Sequence, residues 1–211
     1  MRQQNDHVNM GFTEQTFPAG THICLIYNND ESERESVITK YVAAGIKAGE
    51  KVACFVDALS PAEFKEKLFE NESSIFKAKA DDQLCVMTAK EGYFPDGKFD
   101  GQLKIKSLQE FYVTCKDEGY TNVRGSGEMM WATRDIPGST QLIEYKARLN
   151  DFLAVCPLTC ICQYNANLFD GATILNILKV HPMMIVHGQI VQNPYYIPPE
   201  KFLKDYQAAR N

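Results

Sequence analysis

The chain has 211 residues, 45% hydrophobic and 23% charged, with 22 basic and 27 acidic side chains and a formal charge of −5. That length suits one large α/β domain with a sizeable core. No window holds the ~18 consecutive apolar residues of a membrane span, and no basic patch interleaved with aromatics exists to draw in nucleic acid or anionic lipid.

The opening, MRQQNDHVNMGFTEQTF, has neither the basic nor the apolar region of an export signal, which predicts a cytoplasmic protein. Residues 1–19 are polar and aperiodic, ending near Pro18 and Gly20, and are expected to form a flexible leader before a domain spanning 20–211. HICLIY at 22–27 then reads as a buried strand, and NNDESERES as a turn entering a helix. In ESVITKYVAAGIKAG, Ile38, Tyr41, Val42 and Gly45 share one helical face, and Gly49 stops the helix. KVACFVD is a second strand. Ser60-Pro61-Ala62-Glu63 is a capping box: a hydroxyl at the cap, proline at the first position and a carboxylate at the third.

QLCVMTA is a third strand, and EGYFPDGKFDG, with three glycines and a proline, is read as a long loop. A helix carrying Leu108, Phe111, Tyr112 and Cys115 follows. NVRGSGEMMW at 122–131 is the fourth strand, its Gly125 and Gly127 predicting close approach of another backbone. A helix capped near Ser139 carries Leu142, Tyr145, Leu149 and Phe152; LTCICQYN is strand five; Asp170 caps ATILNILKV; MMIVHGQI is strand six; Pro198 and Pro199 open a terminal helix, EKFLKDYQ. Continuous apolar runs separated by amphipathic helices predict an α/β fold, a single three-layer domain with a mainly parallel central sheet.

The first strand, turn and helix stand where a phosphate loop would be. Asn28-Asn29-Asp30-Glu31-Ser32-Glu33 has no glycine arch and no lysine, and its carboxylates favour the helix end while repelling a triphosphate. Ligands of open α/β sheets sit outside the carboxyl ends of the strands. The candidate ligand residues are therefore Tyr27, Asn28, Asp57, Glu128, Trp131 and Tyr164, with Thr88 and Asn165 at neighbouring strand ends. Glu128 has an alternative role as a partner of Arg124 or Arg134 or of a helix N-terminus, and Trp131 as core packing.

His22 and His181 precede strands, at the opposite end of the sheet, and are expected to make structural hydrogen bonds; His187 lies within or at the end of strand six. Cys24, Cys54, Cys85, Cys160 and Cys162 lie in apolar runs and read as small buried hydrophobes. Cys160-x-Cys162 points two thiols to one face and with Cys54 or His187 could make a thiolate site, although close metal-ligand pairs usually come from turns. No nucleophile–base series or paired-acid spacing supports catalysis, and nothing calls for a cofactor or a metal.

The succession HICLIY, AGIKAGEKVACFVDALSPAEF, GEMMWA, ICQYN, FDGATILNILKVHPMMIVHG and NPYYIPPEKF resembles the MEDS domain, the methanogen/methylotroph, DcmR-like sensory domain, over about residues 18–204. AGIKAGEKVACFVDALSPAEF is more distantly similar to the second strand and helix of RecA-like, KaiC-type ATPases. The resemblance implies a RecA-like fold without a functional phosphate loop, and a non-enzymatic input module that binds a small, largely apolar molecule of the hydrocarbon-derivative class. It implies an output through contact with a partner such as a histidine kinase or a transcription regulator, with no direct contact to nucleic acid or membrane. A homo-oligomer is compatible with that reading. Two other readings are a thiol- or metal-based redox sensor using the strand cysteines, and an enzyme acting through Glu128 and Asp57.

Overall fold

The computed structural model describes residues 7–28, 31–72 and 83–208. Nine strands are described: β1 (His7–Asn9), β2 (Thr16–Pro18), β3 (His22–Tyr27), β4 (Lys51–Val56), β5 (Leu84–Thr88), β6 (Val123–Glu128), β7 (Leu158–Asn165), β8 (Met183–Val186) and β9 (Gln189–Gln192). The helices are α1 (Ser32–Lys47), α2 (Pro61–Asn71), α3 (Ala89–Tyr93), α4 (Gly101–Asp117), α5 (Leu142–Val155), α6 (Gly171–Val180) and α7 (Pro199–Ala208). Among the described residues no helix is long and apolar enough to cross a membrane.

Seven strands form one sheet in the order β5-β4-β6-β7-β3-β8-β9, every neighbouring pair parallel except β8 and β9. The α/β, mainly parallel architecture expected from the apolar runs is the one observed. Alternate strand residues feed two cores. On one face Ile23, Leu25, Cys54, Val56 and Ile161 pack with Val37, Ile38, Tyr41 and Val42 of α1 and Phe64 and Leu68 of α2. On the other, Cys24, Ala53, Phe55, Cys160, Cys162 and Tyr164 pack with Leu108 of α4, Tyr145, Leu149 and Phe152 of α5, Ile177 of α6 and Phe202 of α7.

Local chemistry sets the element ends. Ser60 and Glu63 close the capping box on α2, the Ser60 hydroxyl accepting from the Glu63 amide at 3.3 Å and Glu63 accepting from the Ser60 amide at 2.9 Å. Asp170 accepts from the Thr173 amide at 2.8 Å at the head of α6. The stretch read as a long loop after β5 begins instead with α3, because Thr88 and Glu91 make a second capping box there. Ser139–Gln141 forms a short 3-10 turn, and α5 begins only at Leu142.

Three further expectations are corrected. Residues 7–19 are not a loose leader: β1 and β2 pair antiparallel, and Val8, Met10 and Phe17 are buried against the α1 side of the sheet. Side chains of that size contribute ~1.5–3 kcal/mol each when fully buried, enough to hold so short a ribbon in place. Residues 1–6 lie outside the described residues. The run taken as strand six is a hairpin, β8–β9, whose two-residue turn His187-Gly188 has φ of 48° and 68°, the mirror-image turn that matches strand twist. The fourth strand ends at Glu128, and Met130–Thr133 coils into a 3-10 turn that takes Trp131 off the sheet.

Candidate functional site

Tyr27, Asp57 and Glu128 come together at the carboxyl ends of β3, β4 and β6, around a side chain that the sequence did not single out, Arg34 in the first turn of α1. Glu128 is 2% exposed. Its Oε2 accepts from the backbone amides of Asp57 and Ala58, both at 2.7 Å, and its Oε1 accepts from Arg34 Nη1 at 3.2 Å. The same Nη1 donates to Gln163 Oε1 at 3.2 Å, and Gln163 donates in turn to the Ser126 hydroxyl at 2.8 Å. Glu31 pairs with the other guanidinium nitrogen, and the guanidinium carbon lies 5.0 Å from the Tyr27 ring centroid. Burial pushes the Tyr27 phenol up to about 12, against the opposing pull of Arg34. Asp57 is paired with Arg134 at 2.5 Å.

Glu128 is thus bonded neither to Arg124 nor to Arg134. Arg124 is buried against Glu50 at 2.5 Å on the α1 side of the sheet, and its guanidinium also donates to the carbonyls of Tyr41 at 2.9 Å and Asn9 at 3.2 Å. The first-turn carboxylates of α1 also have specific partners: the Gly188 amide donates to Glu33 at 2.6 Å, and Glu35 pairs with Lys67 at 3.0 Å.

The other candidate residues do not converge on this crevice. Asn28 is exposed just past β3, and Thr88 is spent capping α3. Trp131 is fully buried among Tyr93, Phe94 and Phe99, with ring centroids 5.1, 5.5 and 4.7 Å away. Tyr164 is fully buried too, its hydroxyl 3.3 Å from His181 Nε2. Gly127 does mark a close approach, but of side chains: a Cβ there would lie 2.2 Å from the Tyr93 hydroxyl.

A second polar region lies under α4 and α5, where sequence reasoning saw only core. A small cavity of about 30 Å³ is lined by Phe55, Tyr93, Lys104, Gly125, Lys146 and Cys162, among others. Lys104 is 7% exposed, with its ammonium 4.0 Å from the Phe55 ring centroid and 4.9 Å from that of Tyr93. Burial, and secondarily the charge of Lys146, brings its amine down to about 7. Lys146 is 1% exposed and donates to Cys162 Sγ at 3.1 Å. Among the described residues no carboxylate pairs with either lysine.

Cys162 is the point where the thiol expectation meets the structure. Neither suggested companion is near it: Cys54 belongs to the core on the opposite face, and His187 is in the β8–β9 turn. Its neighbours are His22 and His181, the three ligand atoms lying within 4.8 Å of one another. Burial pushes the Cys162 thiol up, but a hydrogen bond from Cys160 and the nearby Lys146 charge outweigh it and hold the thiol well below its ordinary value. Cys160, as the donor of that pair and itself buried, is pushed well up. The signal was in the alternation: β3 and β7 are parallel with His22 opposite Cys160 and Cys24 opposite Cys162, so all four share a face.

The description of the MEDS family, MEthanogen/methylotroph, DcmR Sensory domain, matches residues 21–182. The chain belongs to this family. It is 29% identical over 163 residues to the transcriptional repressor DcmR of Methylorubrum extorquens, an alignment covering 76% of this chain and 57% of the repressor. The MEDS chain therefore spans less than two thirds of that relative. Among solved structures it is similar to a KaiC-like protein of Pyrococcus horikoshii, with TM-score 0.56, 12% identity and coverage of 84% and 78% of the two chains. It is also similar to the flagellar accessory protein FlaH of Methanocaldococcus jannaschii, with TM-score 0.59, 11% identity and coverage of 88% and 84%. At such identities these neighbours establish a RecA-like fold and nothing about chemistry. Family membership establishes a sensory, regulatory class of role for the MEDS chain.

Proposed function

We propose that this MEDS domain is a non-enzymatic input module that takes a small, largely apolar molecule into the cavity beneath α4 and α5 and passes its presence to a partner protein. The observation that carries the reading is the cavity: a space of about 30 Å³ inside the core, walled by Phe55, Tyr93, Leu108, Tyr145 and Leu149 with two lysine heads among them. A water centre needs ~10–15 Å³ by this measure, so the space suits a guest of about two or three heavy atoms. A hydrocarbon derivative of one-carbon scale has that size. Its apolar part would lie against the rings, and a polar substituent would meet Lys104 or Lys146. The crevice around Arg34 is a weaker candidate, because Glu128 is already held by Arg34 and by the Asp57 and Ala58 amides and Asp57 by Arg134, although Arg34 Nε and Asp57 Oδ2 are buried there without a hydrogen-bond partner.

The similarity to a transcriptional repressor supports an output through a DNA-binding or kinase partner, and the portion of that repressor beyond the alignment is one place where such an output would reside. Gly125 gives a clean test. A Cβ there would meet Leu158 at 3.5 Å and the Ala53 carbonyl at 3.7 Å, ordinary contacts, so Gly125→Ala occupies cavity space without displacing its walls. Thermal melts under a panel of one- and two-carbon halogenated and oxygenated hydrocarbons should show saturable stabilisation of the natural chain and none of Gly125→Ala. Equal responses of the two proteins would place the guest elsewhere.

A further inference from the structure

His22, Cys162 and His181 are buried together at 1%, 3% and 0% exposure, and the bonds around them fix which ring nitrogens carry a hydrogen to the outside of the cluster. Asn150 is held by three donations from Nδ2, to the carbonyls of Lys146 and Ala147 at 3.1 Å and of Val180 at 2.9 Å. Its Oδ1 is therefore the atom that faces His22 Nδ1, at 2.9 Å, and Nδ1 must carry the hydrogen. His181 Nδ1 lies 2.7 Å from the carbonyl of Ile177, which can only accept, so it too carries the hydrogen.

In its neutral form each imidazole then turns an Nε2 lone pair inward. His22 Nε2 is 3.5 Å from Cys162 Sγ, and the two ring centroids are 4.1 Å apart. Imidazoles with Nδ1–H held by a carbonyl and Nε2 turned towards the ligand position are how metal-binding histidines are presented, the outer hydrogen bond fixing both tautomer and ring angle. Tyr164, whose hydroxyl is 3.3 Å from His181 Nε2, closes another side.

From this geometry we infer that His22, Cys162 and His181 form a buried, three-ligand site for a soft monovalent metal ion, with the chemistry of copper(I). One thiolate and two imidazoles are a donor set that copper(I) accepts. Charge argues for the monovalent ion. A thiolate and a monovalent ion sum to zero, whereas a divalent ion would leave a net positive charge in a dry space beside the Lys146 ammonium, 3.1 Å from the sulfur. Lys146 remains as a donor to the coordinated sulfur. The inference is independent of the cavity reading: His22 and His181 do not line the cavity, and Cys162 is common to both.

The test is an anaerobic titration of the full chain with copper(I) held by a colorimetric chelator, beside a parallel zinc(II) titration and X-ray absorption of the copper-loaded protein. One copper per chain should be withdrawn from the chelator, with one sulfur and two nitrogen donors in the absorption spectrum. His22→Ala and Cys162→Ser, checked for folding by circular dichroism, should each weaken binding by at least about tenfold. Cys54→Ala, on the opposite face, and Gly125→Ala, which fills the cavity, should leave it unchanged. Copper retention by a folded His22→Ala or Cys162→Ser protein, loss in either control, a sulfur-only shell or preferential retention of zinc would overturn the inference. So would failure of the natural chain to take copper from the chelator, which would leave the three residues a hydrogen-bonded core cluster only. Loss of hydrocarbon stabilisation in Gly125→Ala with copper binding intact would separate the two sites.

Discussion

The crevice around Arg34 and the core beneath α4 and α5 deal with buried charge in opposite ways. In the crevice, Arg34 and Glu128 neutralise each other, the Asp57 and Ala58 amides complete Glu128, and Arg134 covers Asp57. Beneath the helices, Lys104 and Lys146 share an apolar chamber with rings and thiols and no carboxylate. A region whose charges are paired is a strut, even where single atoms, here Arg34 Nε and Asp57 Oδ2, are buried without a partner. A region that keeps costly, uncompensated groups in its core pays for something other than stability, and such sites are where function is best sought.

The largest effect expected from that contrast is at Glu128. Glu128→Gln leaves the Arg34 guanidinium without its carboxylate from β6 and weakens the cap on the Asp57 and Ala58 amides. Breaking a buried pair from one side costs about 3–5 kcal/mol. Urea unfolding should show a loss of that order. An unchanged midpoint would mean that the crevice is not a strut and would restore Glu128 as a ligand group.

Lys104→Met should move stability the other way. The Lys104 amine, down at about 7 in the folded chain, titrates near 10.4 when unfolded. Below about pH 7 the folded state must hold the ammonium in the core, and the full penalty is present. Between about 7 and 10.4 the unfolded chain binds more protons than the folded one, so the penalty fades as pH rises. Lys146, Tyr93, Tyr145, Cys160 and Cys162 line the same cavity and are common to both proteins, so their titration largely cancels in the comparison. Replacing such a charge by a well-packed apolar side chain typically stabilises by about 1–4 kcal/mol. The gain in melting temperature should be greatest at pH 6 and shrink towards pH 10, and a gain independent of pH would show that the Lys104 amine holds its proton equally in the folded and unfolded chains.

A smaller effect distinguishes thiols within the strands. Cys24 and Cys54 are 0% and 1% exposed, burial, chiefly, pushing the Cys24 thiol up to about 12 and the Cys54 thiol well above its ordinary value. Cys85, on edge strand β5, is only half-buried. Native alkylation followed by peptide mapping should label Cys85 first and leave the other two until the chain unfolds.

The fold was legible because its sheet is built of short apolar runs with punctuated helices between them; Ser60-Pro61 and Asp170 cap where their side-chain chemistry requires. What misled were runs whose apolarity hid a break. Val186-His187-Gly188-Gln189 reads as one strand by hydropathy, and only the His-Gly pair betrays the turn. Val8, Met10 and Phe17 are too few in a polar stretch to announce themselves as core. The crevice was half legible: Tyr27, Asp57 and Glu128 follow from the rule about strand ends, but Arg34 reaches them from a helix and pairs with Glu128 across 94 residues of sequence. The buried face was least legible, since Lys104, Lys146, His22 and His181 come from four elements whose packing fixes their meeting. Polar residues on an amphipathic helix look solvent-facing until a neighbouring helix covers them.

The smallest expected effect is none: magnesium-ATP and magnesium-GTP should not bind saturably at the start of α1, despite the RecA-like fold. Counting Glu31, Glu33 and Glu35 suggests repulsion of about 4 kcal/mol per carboxylate at 4 Å and an effective dielectric near 20. Each of the three has a partner, so the repulsion is weaker than the count. The stronger argument is occupancy. Arg34, in the first turn of α1, is bonded to Glu31, Glu128 and Gln163, and the amides of Asp57 and Ala58 are spent on Glu128. A phosphate would have to displace a buried carboxylate that is already bonded to its own donors, and would offer those donors nothing better in exchange. Isothermal titration should give only heats of dilution. Micromolar binding that Arg34→Met abolishes would show that Glu128 yields its place to phosphate and that the crevice, not the cavity beneath α4 and α5, is the working site.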